Sequence, residues 1–338
     1  MRIALDGRLT EQMSVGMKTY TRELVARLPG AAPDLEFVTL SSGGNFGWSE
    51  QVGLPRAIRR ARVGLTHFLT LYAPLLAPRP YIVTVHDLIH LRFPQYFKAK
   101  VRPYYQTVVR FACSRAARII TDDARTIADL EQFLGVRPSR VRVIPLGVQE
   151  RFLAPAVPHR AERPYLMYVG NHRPHKDLQT LVAAWEALPE ELEVDLYVTG
   201  ANDFGGDAKG GAGGARRIVA LGDVSEARLA GYYAGAAALA HPALCEGFGL
   251  PLLEAMAARC PVVVCADAVP GELRPATLTF PARDVSALRA HLVRLLSDEE
   301  LARSLADAGR VIAERLTWER CARETAAIYR EVLEETKQ

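Results

Sequence analysis

Cys245-Glu246-Gly247-Phe248-Gly249-Leu250-Pro251-Leu252-Leu253-Glu254-Ala255-Met256 is the stretch from which the rest of the chain can be read. It predicts a loop that becomes a helix over 250–258. Pro251 suits a first helical turn, where the N–H it lacks would have no partner. Gly247 and Gly249 let the backbone come close to a ligand. The open N–H groups and the dipole of the new helix then favour an electron-rich group, such as sugar hydroxyls or a phosphate. Glu254 falls about one turn into the helix, placed to accept from a diol such as a ribose. A plainer reading of the same residues is a βα turn with a capping Glu, and the segment by itself leaves both open.

Outward from this stretch, strands alternate with helices. Apolar runs at 2–5, 36–40, 64–68, 81–85, 118–121 and 140–144 read as strands. Helical spacing appears at 18–28, 101–117 and 124–134, the last stopped by Gly135. Residues 149–164, with Pro155, Pro158 and Pro164, read as a linker. The alternation then restarts, with strands at 165–169, 194–199, 217–221, 237–241 and 261–265. Helices follow at 178–188, 226–234, 250–258, 285–297, 298–315 and 317–335. The glycine-rich 200–214 reads as a mobile loop without regular structure. Such alternation argues for parallel sheets covered on both faces. Two series divided by a linker predict an α/β protein of two doubly wound, Rossmann-like domains, at 1–155 and 160–317. Ligands are expected at the carboxyl ends of strands, in a central cleft.

Composition narrows the class. The chain has 338 residues, 49% hydrophobic and 24% charged, as expected of a globular protein of two domains. No apolar run approaches the ~18 residues of a membrane span, and Asp6 interrupts the first apolar run, so no signal peptide is expected. The cysteines are Cys113, Cys245, Cys260, Cys265 and Cys321, an odd count without CxxC. That predicts reduced thiols in a cytoplasmic protein, without disulfides or a zinc site. Residues 1–150 carry 21 Lys and Arg against 12 Asp and Glu, a net +9, while residues 151–338 carry 21 against 26, a net −5. The first half is therefore expected to meet something anionic. Without long basic runs or a recognition motif, nucleic acid is not the expected partner. A basic, aromatic-studded stretch at 97–118 suits peripheral contact with an anionic membrane at its inner face, against the plainer reading of a solvated helix face. Phosphate-loop, nucleophile-elbow and metalloprotease motifs are missing, as is a DxD-like metal site.

Glu246 and Glu254 are separated by seven residues within EGFGLPLLEAMA, which closely resembles the E-x7-E signature of the GT4 family of retaining glycosyltransferases, with the GT-B fold. Gly16-Met17-Lys18-Thr19-Tyr20 looks like the family's glycine loop and first helix. Val85-His86-Asp87-Leu88, Pro145-Leu146-Gly147-Val148, Tyr168-Val169-Gly170 and His175-Lys176-Asp177-Leu178 follow at family-like intervals, so the resemblance spans nearly the whole chain. It implies an enzyme that moves a hexose from a nucleotide-sugar, GDP-mannose first and UDP-glucose second, to a saccharide or lipid-linked glycan. It also implies work without metal or other cofactor, front-face attack, and a last helix, about 318–338, that returns to the first domain.

The same resemblance assigns roles. Glu246 would lie beside the donor sugar, with the backbone of Gly247, Phe248, Gly249 and Leu250 holding hydroxyls and phosphate. Glu254 would take the ribose and Lys176 the diphosphate, where a cation meets the charge that grows on the leaving group. His86 would contact the transferred sugar, Gly16 would bring backbone N–H groups near the diphosphate or acceptor, and Val224 would lie near the base. The chain departs from the pattern at Asn171 and His175, where many relatives carry Arg, so that Arg173 or a protonated His175 would supply the second cation. Asp87 would orient His86 or cap the next segment. The rival readings are another GT-B enzyme, such as an epimerase or phosphorylase, a paired-carboxylate hydrolase, and a non-catalytic nucleotide-sugar-binding module.

Overall fold

The computed structural model describes residues 1–338 apart from Gln12, Ser42, Asn45, Phe46, Lys100, 202–207, 211–215 and Gln338. The chain divides into two units, one of Met1–Gly147 with Thr317–Gln338 and the other of Val148–Leu316. Both units are α/β.

In the first unit the strands are β1 (Arg2–Asp6), β2 (Glu36–Leu40), β3 (Leu65–Phe68), β4 (Tyr81–Thr84), β5 (Arg118–Thr121) and β6 (Val141–Val143). They form one parallel sheet in the order β2-β1-β3-β4-β5-β6. Every residue of β3 and β4 is buried, as in a sheet covered on both faces. Phe68, Val83, Val109, Ile119 and Leu130 meet in the core on one side. The stretch expected as a single helix at 101–117 is interrupted by a π turn at Tyr105–Val109, between Val101–Tyr104 and Arg110–Arg115. The helix Leu54–Ala61 escaped the sequence reading, because its buried side is only Leu54, Pro55 and Ile58 among arginines.

The helix Trp318–Glu335, capped by Thr317, packs in this first unit. Arg118 Nη2 donates to Glu331 Oε1 at 2.8 Å and Arg330 Nη2 to Asp34 Oδ1 at 2.6 Å, while Trp318 is wholly buried. Below the surface, Tyr329 OH lies 2.6 Å from His67 Nδ1, His67 Nε2 lies 2.8 Å from Thr84 Oγ1, and Tyr20 OH lies 3.0 Å from the same oxygen. Burial, and then the proximity of His86, push the His67 pKa down to about 3, so its imidazole is neutral.

The second unit holds β7 (Tyr165–Tyr168), β8 (Asp195–Thr199), β9 (Ala208–Gly210), β10 (Arg216–Gly222), β11 (Ala238–His241), β12 (Val262–Cys265) and β13 (Thr277–Phe280). Their order is β13-β12-β11-β7-β8-β10-β9. All pairs are parallel except the edge strand β9, which runs antiparallel to β10. Apart from β9 this is the doubly wound order, with the winding reversing between β7 and β11. Part of the glycine-rich stretch is thus a strand, contrary to expectation, because its backbone completes the edge of β10; 202–207 and 211–215 lie outside the described residues.

The proline-rich stretch at 149–164 is not a free linker. It contains the helical turn Glu150–Leu153, whose Phe152 is buried edge-on against Tyr233, and Arg310 Nη2 donates to Leu153 O at 2.9 Å. The units divide earlier, between Gly147 and Val148, so residues 148–155 count with the second unit. A Cβ on Gly147 would fall 2.1 Å from Trp318 N and 2.3 Å from Thr317 C, so only glycine fits where the outgoing and returning chains touch. Gly147→Ala is expected to cost about 3 kcal/mol or more, since backbone must move. The check is a denaturant midpoint well below that of the wild type.

Candidate active site

The reversal between β7 and β11 places two loops side by side at the carboxyl ends of these strands, residues 169–177 after β7 and 242–249 after β11. In open α/β sheets this is where ligands bind. Leu244 N donates to His175 O at 2.8 Å and joins the loops. The first loop winds into a 3-10 turn, Pro174–Lys176, and Asp177 then takes a left-handed conformation at φ 50°. Asp177 also accepts from Thr180 Oγ1 at 2.7 Å, which fixes the entry to the helix Leu178–Glu186. The second loop ends at Gly249, at φ 80°, from which the helix Leu250–Ala257 departs with Pro251 in its first turn.

Lys176 and Glu246 meet across this seam as an ion pair, Nζ to Oε1, with side chains 14% and 11% exposed. A third residue joins them. His241, the last residue of β11, places Nε2 2.7 Å from the same Glu246 oxygen. Burial alone would raise the Glu246 pKa, but the Lys176 charge and the His241 bond outweigh it and hold the group well below the ordinary carboxylate range. His241 was missed in the sequence. A histidine ending an apolar strand five residues before a motif glutamate is the signal that was there to be used.

Glu254 does not join this cluster. It lies half-buried in its helix, where Tyr233 OH donates to Oε2 at 3.1 Å. Burial, with the nearby Glu226 charge, raises its pKa to about 7 against the lowering pull of Tyr233 and Arg151. Phe248 is buried, and Gly247 and Gly249 lie in the buried loop beside it. Arg173 is exposed, whereas His175 is buried. Val224 is half-buried in the turn after β10, at the same edge of the sheet.

The other expected residues belong to the first unit. His86 follows β4, and Nδ1 lies 2.6 Å from Asp122 Oδ2, just past β5. Burial would lower the His86 pKa, but Asp122, helped by Asp87 and the Leu69 carbonyl, raises it above the ordinary value. Asp87 is the cap and not the orienting group, since Oδ1 accepts from Ile89 N at 3.1 Å. Tyr20 packs edge-on against the imidazole at 4.6 Å between centroids. Gly16 lies not in a loop but in the first turn of the helix Val15–Ala31, whose cap Ser14 accepts from Met17 N at 3.3 Å.

Two doubly wound units, the second carrying a Lys–Glu pair at its switch point, define a GT-B glycosyltransferase. The chain matches the family model described as Glycosyltransferase Family 4 over residues 18–152 and the one described as Glycosyl transferases group 1 over residues 163–298. It belongs to this glycosyltransferase family and is an enzyme of that class. Among curated relatives it is 26% identical to the O-antigen chain mannosyltransferase B of Escherichia coli, over 81% of this chain and 76% of that protein. It is 28% identical to the MMP alpha-(1->4)-mannosyltransferase of Mycolicibacterium hassiacum, over 80% of this chain and 68% of that one. Among solved structures, the sucrose-phosphate synthase of Thermosynechococcus elongatus superposes with a TM-score of 0.76 over 99% of both chains at 22% identity. Among the described residues no helix is long and apolar enough to cross a membrane.

The two displaced groups generate two predictions. A carboxyl whose pKa is raised in the folded state binds its proton more tightly there than in the unfolded chain. Stability therefore falls as pH rises from the ordinary value, 4.5, to about 7, and is level above. Glu254→Gln is expected to remove this slope and to raise stability at pH 8 by about 1–3 kcal/mol, read by thermal melts across pH. For His86 the sign is the same, in a higher pH window. Its stabilising contribution is complete below pH 6.5 and is lost as pH rises through the raised folded value. Asp122→Asn should lower the His86 titration midpoint to or below 6.5, followed by nitrogen NMR of the imidazole.

Proposed function

We propose that this glycosyltransferase is a retaining mannosyltransferase that draws on GDP-mannose and delivers the sugar to a saccharide or lipid-linked glycan. The observation that carries the reading is Glu246, kept ionised by Lys176 and His241 where the loops after β7 and β11 meet. The mannosyltransferase names of the two curated relatives support the choice of sugar, with UDP-glucose as the second candidate.

In this reading the donor diphosphate draws on Lys176 and, as second cation, on Arg173, whose exposure suits it better than buried His175. The departing nucleotide gains negative charge as the glycosidic bond breaks, and a positioned cation stabilises that charge more in the transition state than in the ground state. The backbone of Gly247, Phe248, Gly249 and Leu250, at a helix start, takes sugar hydroxyls and phosphate. Glu254 accepts from the ribose diol, Val224 lies by the base and Gly16 adds backbone N–H groups. His86, held by Asp122, receives the sugar. Attack from the front face, with the leaving phosphate taking the acceptor proton, retains configuration without a protein nucleophile. No metal takes part. Lys98, Arg102, Arg110 and Arg115 are exposed in the first unit beside exposed Phe111, a surface suited to an anionic acceptor or lipid headgroups.

The test is a thermal-shift series with GDP, UDP, ADP, dTDP and their common sugars in the presence of EDTA. A ligand that binds only the folded state adds about 2.7 kcal/mol at a hundred times its dissociation constant. GDP and GDP-mannose are expected to shift the melt selectively, and Glu246→Ala to remain folded and lose turnover. A selective UDP response would replace the donor, a metal requirement would refute the metal-free step, and an active Glu246→Ala would overturn the site.

A further inference from the structure

Two donors converge on one oxygen of Glu246, and they are held very differently. Lys176 reaches it from a short turn at the end of a flexible side chain. His241 reaches it from the end of β11, a strand locked between β7 and β12, with its side chain 1% exposed. The other ring nitrogen, Nδ1, is buried and makes no hydrogen bond. An imidazole whose one polar partner is a carboxylate carries its hydrogen on the nitrogen that faces it, so Nε2–H donates to Oε1. An apolar side chain would fill the same space without leaving a buried nitrogen unpaired, a cost of ordinary hydrogen-bond size. The one polar task of His241 is therefore Glu246.

We infer that His241 is the positioning residue of this site: it keeps the Glu246 carboxylate in place when the donor diphosphate draws Lys176 away. The inference rests on the reading above, in which Lys176 serves the diphosphate. A phosphate pair outcompetes a single carboxylate for the ammonium, so on donor binding Glu246 loses its flexible partner and keeps its rigid one. The closed Lys176–Glu246 pair is then the resting arrangement, and the His241 bond is the part shared by both states. The nucleotide itself meets Lys176, Arg173 and Glu254, so its affinity does not depend on His241. The sugar step, which needs Glu246 in register, does.

The test compares His241→Leu, which removes the donor, with His241→Gln, whose amide N–H reaches a similar point. Affinity for GDP and for UDP is measured by calorimetry, and turnover is read as nucleotide released from GDP-mannose and from UDP-glucose. His241→Leu is expected to bind nucleotide within about three-fold of the wild type while its turnover falls by about ten-fold or more, and His241→Gln to recover most of that loss. The inference is overturned if His241→Leu turns over normally. It is overturned equally if both variants lose nucleotide affinity and turnover together, the mark of a merely structural side chain. Failure of the underlying reading looks different, since the wild type would then bind no nucleotide or Glu246→Ala would stay active.

Discussion

A carboxylate withdrawn from water stays charged only if the protein supplies what water did, and breaking such a pair by removing one partner is costly. Glu246 is in that position, and its partners dictate the local architecture. Lys176 must come from the loop after β7 and His241 from the end of β11, which requires those strands to be neighbours although 69 residues lie between the end of β7 at Tyr168 and the start of β11 at Ala238. The doubly wound order makes them neighbours. The left-handed turns at Asp177 and Gly249, one leading into each flanking helix, give the loops the sharp exits that bring their ends together.

The first unit shows the same topology put to another use. Its winding reverses between β1 and β3, and Arg8 follows just past the end of β1. Arg8 grips Asp6 with two bonds of 2.7 Å and reaches Tyr72 O at 3.0 Å, in the loop after β3. Burial opposes its charge, yet Asp6 outweighs burial and raises the guanidinium pKa. A fork-to-fork pair with backbone carbonyls beyond it braces the loops at these strand ends.

What could be read in the sequence was what repeats. Buried parallel strands appear as short apolar runs, and their alternation with helices was enough for two doubly wound domains and, through EGFGLPLLEAMA, for the family. What could not be read was pairing between distant strand ends. Asp122 follows β5, and nothing local in it points to His86; Asp87, adjacent in sequence, was open to that task or to capping, and it caps the turn that follows. His241 and Tyr233 were passed over for the same reason, each being the partner of a motif glutamate and not part of the motif. Proline content misled in another way: the prolines at 155, 158 and 164 follow a helical turn whose Phe152 is fixed in the core of the second unit, and the division between units falls earlier, after Gly147, where a Cβ could not fit.

The two glutamates of the motif are pushed in opposite directions, Glu246 down and Glu254 up to about 7. Opposed carboxyls are also what a hydrolytic acid–base pair would show, so the displacement does not separate the two readings. Their partners do. Glu246 is fixed by two cationic or N–H donors at the strand ends, while Glu254 is held by Tyr233 from the helix Glu226–Gly235 and shares neither of them. A hydrolytic acid needs to keep its proton until the bond breaks. A carboxyl that accepts from a diol must instead give its proton up, and an incoming ribose supplies the donors that make ionisation favourable at a site where burial alone opposes it. In the proposed reading the raised value at Glu254 belongs to a carboxyl that accepts from the ribose hydroxyls, and the lowered one at Glu246 to a charge that Lys176 and His241 hold beside the donor.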